Sequence, residues 1–135
     1  PYLYADDYDF KPGLWEISST NEIIEIEAPP AVENGIRNMP KQVENVCIED
    51  PTVMYEPEPG EQGECNVDIE RKSANKLVFE SFCTDPYSDG SVKTVGELNL
   101  SGDTLTMLTE HNVSDVGFSM KMETLSHGKY IGACN

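Results

Sequence analysis

An antiparallel all-β fold is the class that this sequence predicts, and three observations support it. Apolar residues alternate with polar ones along short runs, as they do in half-buried strands. Turn residues separate these runs, and no run shows the 3.6-residue period of an amphipathic helix. Four cysteines in 135 residues indicate two disulfide bonds. We expect a meander closed, or nearly closed, into a barrel, with helix confined to a turn or two within the loops.

The N-terminal part of the chain combines two strand patterns with two loops. The first pattern covers Leu14–Glu27, and its apolar residues change from odd to even positions near Asn21. Because strand side chains alternate strictly between faces, this change predicts a bulge or bend there. Proline and glycine mark residues 28–41 and 49–64 as loops, on either side of a short strand at Gln42–Ile48.

The clearest hairpin runs from Cys65 to Cys83. A turn centred on Ala74 places Ile69 opposite Phe79 and Cys65 opposite Cys83, with the apolar partners on one face. Two cysteines that face each other in a non-hydrogen-bonded pair of antiparallel residues are close enough to form a disulfide bond. We therefore expect a bond between Cys65 and Cys83.

That pairing leaves Cys47 and Cys134, which would tie the second strand to the C-terminus. Disulfides persist in oxidising compartments, so we expect a secreted or periplasmic protein. The alternative is a reduced cytosolic protein with scattered thiols or a zinc site, but the chain has no Cys-x-x-Cys motif or paired histidine spacing. No apolar run approaches the roughly 20 residues needed to cross a bilayer.

The remaining sequence continues the meander. Strand patterns at Ser91–Leu100, Thr104–His111 and Phe118–Tyr130 are separated by short turns. Residues 1–10 show no clear period, and we expect them to form a poorly structured leader. A single β-barrel-like domain would then cover residues 11–135, a length that suffices for one hydrophobic core.

The net charge of −16 excludes nucleic acid and anionic membrane surfaces as favoured partners, because both would repel this chain. Residues 1–70 hold 17 acidic and 3 basic residues, whereas residues 71–135 hold 8 acidic and 6 basic ones. This asymmetry indicates one acidic end or face, and the alternative is a set of solvated loops that keep the protein soluble. The candidates for an acidic face are Asp50, Glu56, Glu58, Glu61 and Glu64.

Short motifs at both ends of the chain can be considered together. Lys-Pro-Gly-Leu-Trp-Glu occupies residues 11–16, a Val-Cys step follows at 46–47, and Gly-Ala-Cys lies at 132–134. With the two mid-chain cysteines, this combination resembles a secreted proteobacterial family known as domain of unknown function 3617, over about residues 11–135. The resemblance implies a compartment and a disulfide framework but no chemistry, since the family has no established activity.

A second resemblance is to the calycins, the lipocalin-like β-barrels. Those barrels carry Gly-x-Trp on the first strand, and a cation from the last strand packs over the indole. Here the resemblance implies these structural roles for Gly13, Trp15 and Lys129, and a cation over an indole stabilises by about 0.5–2 kcal/mol. The alternative is a core tryptophan that simply anchors the bottom of the barrel.

Catalysis is not the favoured interpretation. His111 and His127 are the only histidines, and no Gly-x-Ser-x-Gly motif accompanies them, so no Ser–His–Asp arrangement can be assembled. The cysteines are expected to be consumed in disulfides, which leaves no thiol nucleophile. We therefore expect a protein that is not an enzyme and that needs no cofactor.

A copper site is one metal centre that these residue types could form. Thioether and imidazole groups bind copper in oxidising compartments, and the chain offers Met107, Met120, Met122, His111 and His127. The methionines, however, follow the alternation of a core face, and methionine fills irregular cores well. Residues 85–89 lack the ligand spacing of an EF-hand calcium loop. The sequence therefore predicts no metal site.

A non-catalytic binding protein is the function we expect, with a small apolar ligand in the barrel interior. Small barrels are either filled by side chains or hold one ligand. The alternative is a protein-interaction or inhibitor module that uses the acidic face against a basic partner. The residues expected to line the interior are Phe79, Leu98, Leu105, Met107, Met120 and Met122.

Overall fold

Seven antiparallel strands form one sheet in the order β2-β1-β7-β6-β5-β4-β3. The computed structural model describes residues 8–51, 64–84 and 89–134. The elements are β1 (Gly13–Glu27), α1 (Pro30–Arg37), β2 (Gln42–Ile48), β3 (Glu64–Ser73), β4 (Lys76–Thr84), β5 (Ser91–Ser101), β6 (Thr104–Asp115) and β7 (Phe118–Gly132). The predicted antiparallel all-β meander is therefore confirmed.

Strands β3 to β7 follow one another as neighbours, and β7 then pairs with β1, so the two ends of the chain lie side by side. The strand order ends at β2 on one side and at β3 on the other. Among the described residues these edge strands do not pair with each other, and the sheet is not closed into a barrel. The expectation of barrel closure is thus not met by these strands.

The sheet has an inner face that carries the hydrophobic core and an outer face that does not. We define the inner face as the face of the sheet on which the Trp15 side chain lies. It includes every second residue of β1 counted from Trp15 and the residues that pair with these across the strands. Every strand residue of the core lies on this face. The core consists of Tyr8, Phe10, Trp15, Ile17, Ile48, Leu77, Phe79, Leu98, Leu100 and Leu105. A single sheet buries such a cluster only by curving around it.

Trp15 lies at the centre of this core and is 0% exposed. Its indole stacks on the ring of Phe10, with ring centroids 4.9 Å apart, and meets the ring of Tyr130 edge-on at 6.0 Å. The indole Nε1–H donates a hydrogen bond to the carbonyl of Lys11 at 2.8 Å. The buried tryptophan therefore keeps its one polar group satisfied while it contributes its full apolar surface.

Residues 8–10 cross the end of the sheet beneath the core. The Asp9 amide donates to the carbonyl of Ala74 in the β3–β4 turn at 2.8 Å. The Asp9 carbonyl accepts from the amide of Gly102 in the β5–β6 turn at 2.9 Å. These bonds tie two turns together and close this end of the curved sheet, which we call the closed end.

The prediction that residues 1–10 are a poorly structured leader is wrong for residues 8–10. Tyr8 and Phe10 are buried in the core, although they belong to no strand and so show no strand period. Their burial depends on the strands they cross, which local alternation does not reveal. Residues 1–7 lie outside the described part of the chain.

A register shift in β1 and one short helix correspond to features that the sequence predicts. The register of β1 shifts between Ile23 and Glu25, slightly beyond the bend predicted near Asn21. The expected short helix is α1, which starts with Pro30, a residue whose fixed φ suits the first helical position. No helix among the described residues is both long and apolar enough to span a membrane.

Both predicted disulfides are confirmed. Cys65 and Cys83 face each other in β3 and β4, with Cα atoms 4.0 Å apart. Cys47 at the end of β2 is bonded to Cys134 just beyond β7, across a sequence separation of 87 residues. The first bond staples a hairpin at one edge of the sheet, and the second joins the other edge to the C-terminus.

The two bonds are expected to differ in their contribution to stability. In the chain-entropy model, removing the bond between Cys47 and Cys134 costs roughly 4–5 kcal/mol, because it closes the longer loop. Removing the bond between Cys65 and Cys83, separated by 18 residues, costs roughly 3 kcal/mol. Urea unfolding of the two double cysteine-to-alanine variants tests this order, and a larger loss for the hairpin bond would contradict it.

Gly96 is expected to tolerate no side chain. A Cβ at this position would overlap Cε1 and Cζ of the Phe79 ring, so Gly96→Ala forces a shift in the core. We expect a loss of roughly 1–3 kcal/mol in the free energy of unfolding. Gly35→Ala in α1 is the control, because nothing lies within 4 Å of the added atom and alanine favours helix. Equal urea midpoints for the two variants would contradict this packing.

Candidate ligand-binding site

The burial of the inner-face residues changes halfway along the strands. Near the closed end its residues are mostly buried, whereas farther along, two complete rows across six strands are half-buried at every position. We call these two rows the open half. The lower row is Ile23, Met122, His111, Thr94, Ser81 and Val67. The upper row is Ile26, Met120, Val113, Val92, Cys83 and Cys65.

Phe79 marks the boundary between the core and the open half. It pairs with Gly96 on the neighbouring strand, and its ring lies across the space that a side chain at Gly96 would fill. Gly96 in turn pairs with Thr109 on β6. The glycine therefore lets one large ring cover the middle of the inner face, which seals the core below it.

Thr109 is a buried polar residue in this boundary row. It is 5% exposed, and its Oγ1 has no hydrogen-bond partner among the described residues. Neighbouring hydroxyls are paired: Thr124 Oγ1 donates to Asn21 Oδ1 at 2.6 Å, and the Ser19 and Ser126 hydroxyls lie 2.8 Å apart. A buried polar group left unpaired costs about 1–3 kcal/mol, so Thr109 calls for an explanation.

His111 lies two residues farther along β6, in the lower row of the open half. Its Nδ1 is 3.2 Å from the hydroxyl of Thr94 on β5, and no hydrogen bond to its Nε2 is made by the described residues. Burial lowers the pKa of His111 below its ordinary value, because desolvation disfavours the charged imidazolium. The imidazole is therefore neutral at pH 7, with Nε2 available to a ligand.

Two depressions lie at the rim beyond the upper row. A pocket of about 230 Å³ is lined by residues that include Cys83, Val92 and Val113 of that row. A wider cleft of about 760 Å³ lies nearby, and most of its lining side chains alternate to the outer face. The cations of this cleft are already paired, Lys93 with Glu80 and Lys121 with Glu110. The smaller pocket is the one that continues the open half.

The six residues predicted to line the interior all share the inner face, but they divide between its two parts. Phe79, Leu98 and Leu105 are buried in the core near the closed end. Met107 is half-buried and packs against that core. Met120 and Met122 belong to the open half.

The predicted packing of Lys129 over the indole of Trp15 is wrong. Lys129 pairs with Glu16 across β1 and β7, and its Nζ lies 3.5 Å from the Glu16 carboxylate on the outer face. Tyr130, the next residue, is the one that contacts Trp15, because strand side chains alternate between faces. Phe10 and Tyr130 thus take the place that the calycin resemblance implied for a cation.

The candidate acidic face is only partly described. Asp50 is half-buried just after β2, whereas Glu56, Glu58 and Glu61 lie outside the described residues. Glu64 begins β3. The acidic face therefore stays a prediction, because most of its residues lie outside the part of the chain that the structure describes.

A different set of acids forms a row across the outer face. Register places Glu22 opposite Glu123 and Glu123 opposite Glu110, an arrangement that is unfavourable for like charges. Sequence analysis missed this row because it depends on the pairing of β1, β6 and β7. The full row is Glu22, Glu123, Glu110, Val95, Glu80 and Asp68.

The copper-type set of side chains is not brought together. His127 pairs with Thr106 on the outer face and is exposed, whereas the three methionines and His111 lie on the inner face. Among the described residues, Cys47, Glu49 and Cys134 form a group of potential metal ligands. Their two sulfur atoms are joined in the disulfide, which removes the thiolates that a metal would bind.

Protein stability is expected to fall as the solution is acidified below the ordinary histidine pKa of about 6.5. The lowered pKa of folded His111 means that the unfolded chain binds a proton first, so acid favours unfolding. His111→Gln removes this contribution and flattens the stability profile between about pH 7 and pH 5. The exposed His127→Gln is the control for urea midpoints over that range. Identical profiles for His111→Gln and the parent protein would contradict the assignment.

Comparisons with known proteins give a family but no activity. No curated protein and no solved structure matches the chain. A family model described as a protein of unknown function, DUF3617, matches residues 10–134. This span runs from Phe10, which stacks on Trp15, to Cys134, which forms the second disulfide. Because the match covers nearly the whole chain, the protein belongs to the DUF3617 family.

Proposed function

We propose that this protein is a non-catalytic binding protein that holds a small apolar ligand against the open half of its inner face. The observation that carries the proposal is the uniform half-burial of twelve inner-face residues above a sealed core. Aliphatic and thioether side chains account for seven of them. Ligand sites are typically concave surfaces of this kind, mostly apolar with a few polar groups.

The methionines favour a ligand of simple apolar chemistry. Met120 and Met122 lie next to each other on one face of β7, one in each row of the open half. Methionine is unbranched and flexible, so it adapts to apolar surfaces of different shape. Val113 and Ile26 extend this surface to either side of Met120.

Catalysis has little support in this site. Thr94 and His111 form a hydroxyl–imidazole pair, the beginning of a nucleophile–base arrangement. Neither row of the open half contains a carboxylate that would orient the imidazole, and the two cysteines of the upper row are bonded to each other. The pair is better suited to binding a polar group than to activating one.

The two disulfides support a secreted or periplasmic setting for this function. Apolar metabolites in such compartments are poorly soluble, and a curved sheet that removes them from water lowers their free energy by about 25 cal/mol per Å² of apolar surface buried. The strongly acidic outer surface keeps the carrier itself soluble.

A second candidate function is capture of a basic protein by the outer face. The row from Glu22 to Asp68 favours it, since opposed carboxylates such as Glu22 and Glu123 would gain from a cationic partner. Such binding would weaken steeply with added salt, whereas binding of an uncharged apolar ligand would not.

Binding of the neutral fluorophore N-phenyl-1-naphthylamine tests the proposed function. We expect Met122→Gln to weaken binding about three- to tenfold, because it removes apolar contact surface from the open half. Leu108→Gln is the matched control, since Leu108 is 47% exposed on the outer face of β6. Thermal unfolding of both variants verifies that they remain folded. No binding to the parent protein, or equal losses in the two variants, would contradict the proposal.

A further inference from the structure

We infer that the ligand of the open half carries an uncharged hydroxyl head group, which binds between Thr109 and His111. This inference deepens the function proposed above and rests on it. It follows from two polar atoms that lie on one strand and one face and have no partner among the described residues: Thr109 Oγ1 and His111 Nε2.

The buried Thr109 hydroxyl is the group that most needs a hydrogen-bond partner. Its hydroxyl is buried, and the hydroxyl of its cross-strand neighbour Thr124 is already committed to Asn21. A hydroxyl is both a donor and an acceptor, so it is best satisfied by another group that does both. A ligand hydroxyl removes the cost of the unpaired group, whereas a purely apolar ligand leaves that cost in place.

Spacing along β6 suits one bridging oxygen. Thr109 and His111 are two residues apart, and their Cα atoms are therefore roughly 7 Å apart in an extended strand. Their side chains project from the same face of the strand, so one ligand oxygen can be placed between the two polar groups. Met122 is diagonal to Thr109 across β6 and β7, and its flexible chain can turn aside to admit the oxygen.

The surroundings exclude a charged head group. Neither row of the open half contains lysine or arginine, so an anionic head group would find no cation there. Neither row contains aspartate or glutamate, so a cationic head group would find no carboxylate there. The imidazole of His111 is neutral at pH 7, because burial lowers its pKa. The net charge of −16 repels anions further. A fatty alcohol therefore fits this site better than the corresponding fatty acid anion.

The apolar tail has a clear direction. Val113 lies two residues beyond His111 on the same face, and it lines the pocket of about 230 Å³ at the rim. The distance from Thr109 to Val113 along β6 is roughly 13 Å. This distance suits an alkyl chain of medium length, which would run past Met122 and Met120 toward the rim.

Displacement of the bound fluorophore by decanol, decanoate and 1-chlorodecane tests the head group. We expect decanol to displace the probe from the parent protein at an about three- to tenfold lower concentration than 1-chlorodecane, the advantage of a hydrogen-bonded hydroxyl. Decanoate should be weaker than decanol. A preference for decanoate, or no preference between decanol and 1-chlorodecane, would overturn the inference.

Thr109→Val locates the head group, because valine keeps the shape of threonine and removes its hydroxyl. The preference for decanol over 1-chlorodecane should disappear in this variant. The free variant should be at least as stable to urea as the parent, since the unpaired hydroxyl is gone. Thr124→Val is the control: it removes a paired hydroxyl in the same row and should keep the preference.

The outcomes separate this inference from the function on which it rests. One outcome is that the parent and both valine variants all bind the fluorophore and release it equally to decanol, decanoate and 1-chlorodecane. In that case the head-group site is wrong but the apolar site stands. If the parent binds neither fluorophore nor 1-chlorodecane, the proposed function fails, and the head-group site fails with it. A decanol preference that is lost in Thr124→Val and kept in Thr109→Val would also overturn the inference.

Discussion

Burial of Trp15 at one end of a single-layer sheet is the constraint on which the rest of the structure depends. A sheet without a second layer exposes both faces, so an apolar face must curve around its own side chains or be covered. Here the stack of Phe10 on Trp15 covers the closed end, and hydrogen bonds from Asp9 hold that cover to two turns. The core is therefore concentrated at this end, and the strands extend well beyond it.

The open half is a consequence of that uneven core. Strands β1 and β7 each have 15 residues, but the sealed core takes up only the part below Phe79. The two rows of the open half continue the strand alternation, seven of their twelve residues are aliphatic or carry a thioether, and all twelve are half-buried. Apolar surface of this kind often marks a binding site. The unpaired hydroxyl of Thr109 lies where the two parts meet.

Local patterns were sufficient for much of the fold. Alternation and turn residues predicted the strands, and the register of the β3–β4 hairpin predicted both disulfides, because these features depend on near neighbours. Features set by pairing between distant strands were not predicted. Local patterns do not show that Lys129 lies on the outer face, that Tyr8 and Phe10 are buried, or that the Thr109 hydroxyl has no partner among the described residues. Its lack of a partner follows only from the side chains that surround it in three dimensions.

The most direct test of the account is the NMR spectrum of the protein with ¹³C-labelled methionine methyl groups, recorded with and without decanol. Met120 and Met122 lie in the open half, whereas Met107 packs against the buried core. The account predicts that decanol shifts the methyl signals of Met120 and Met122 more strongly than that of Met107. Unchanged signals from Met120 and Met122 at saturating decanol would contradict a binding site on the inner face.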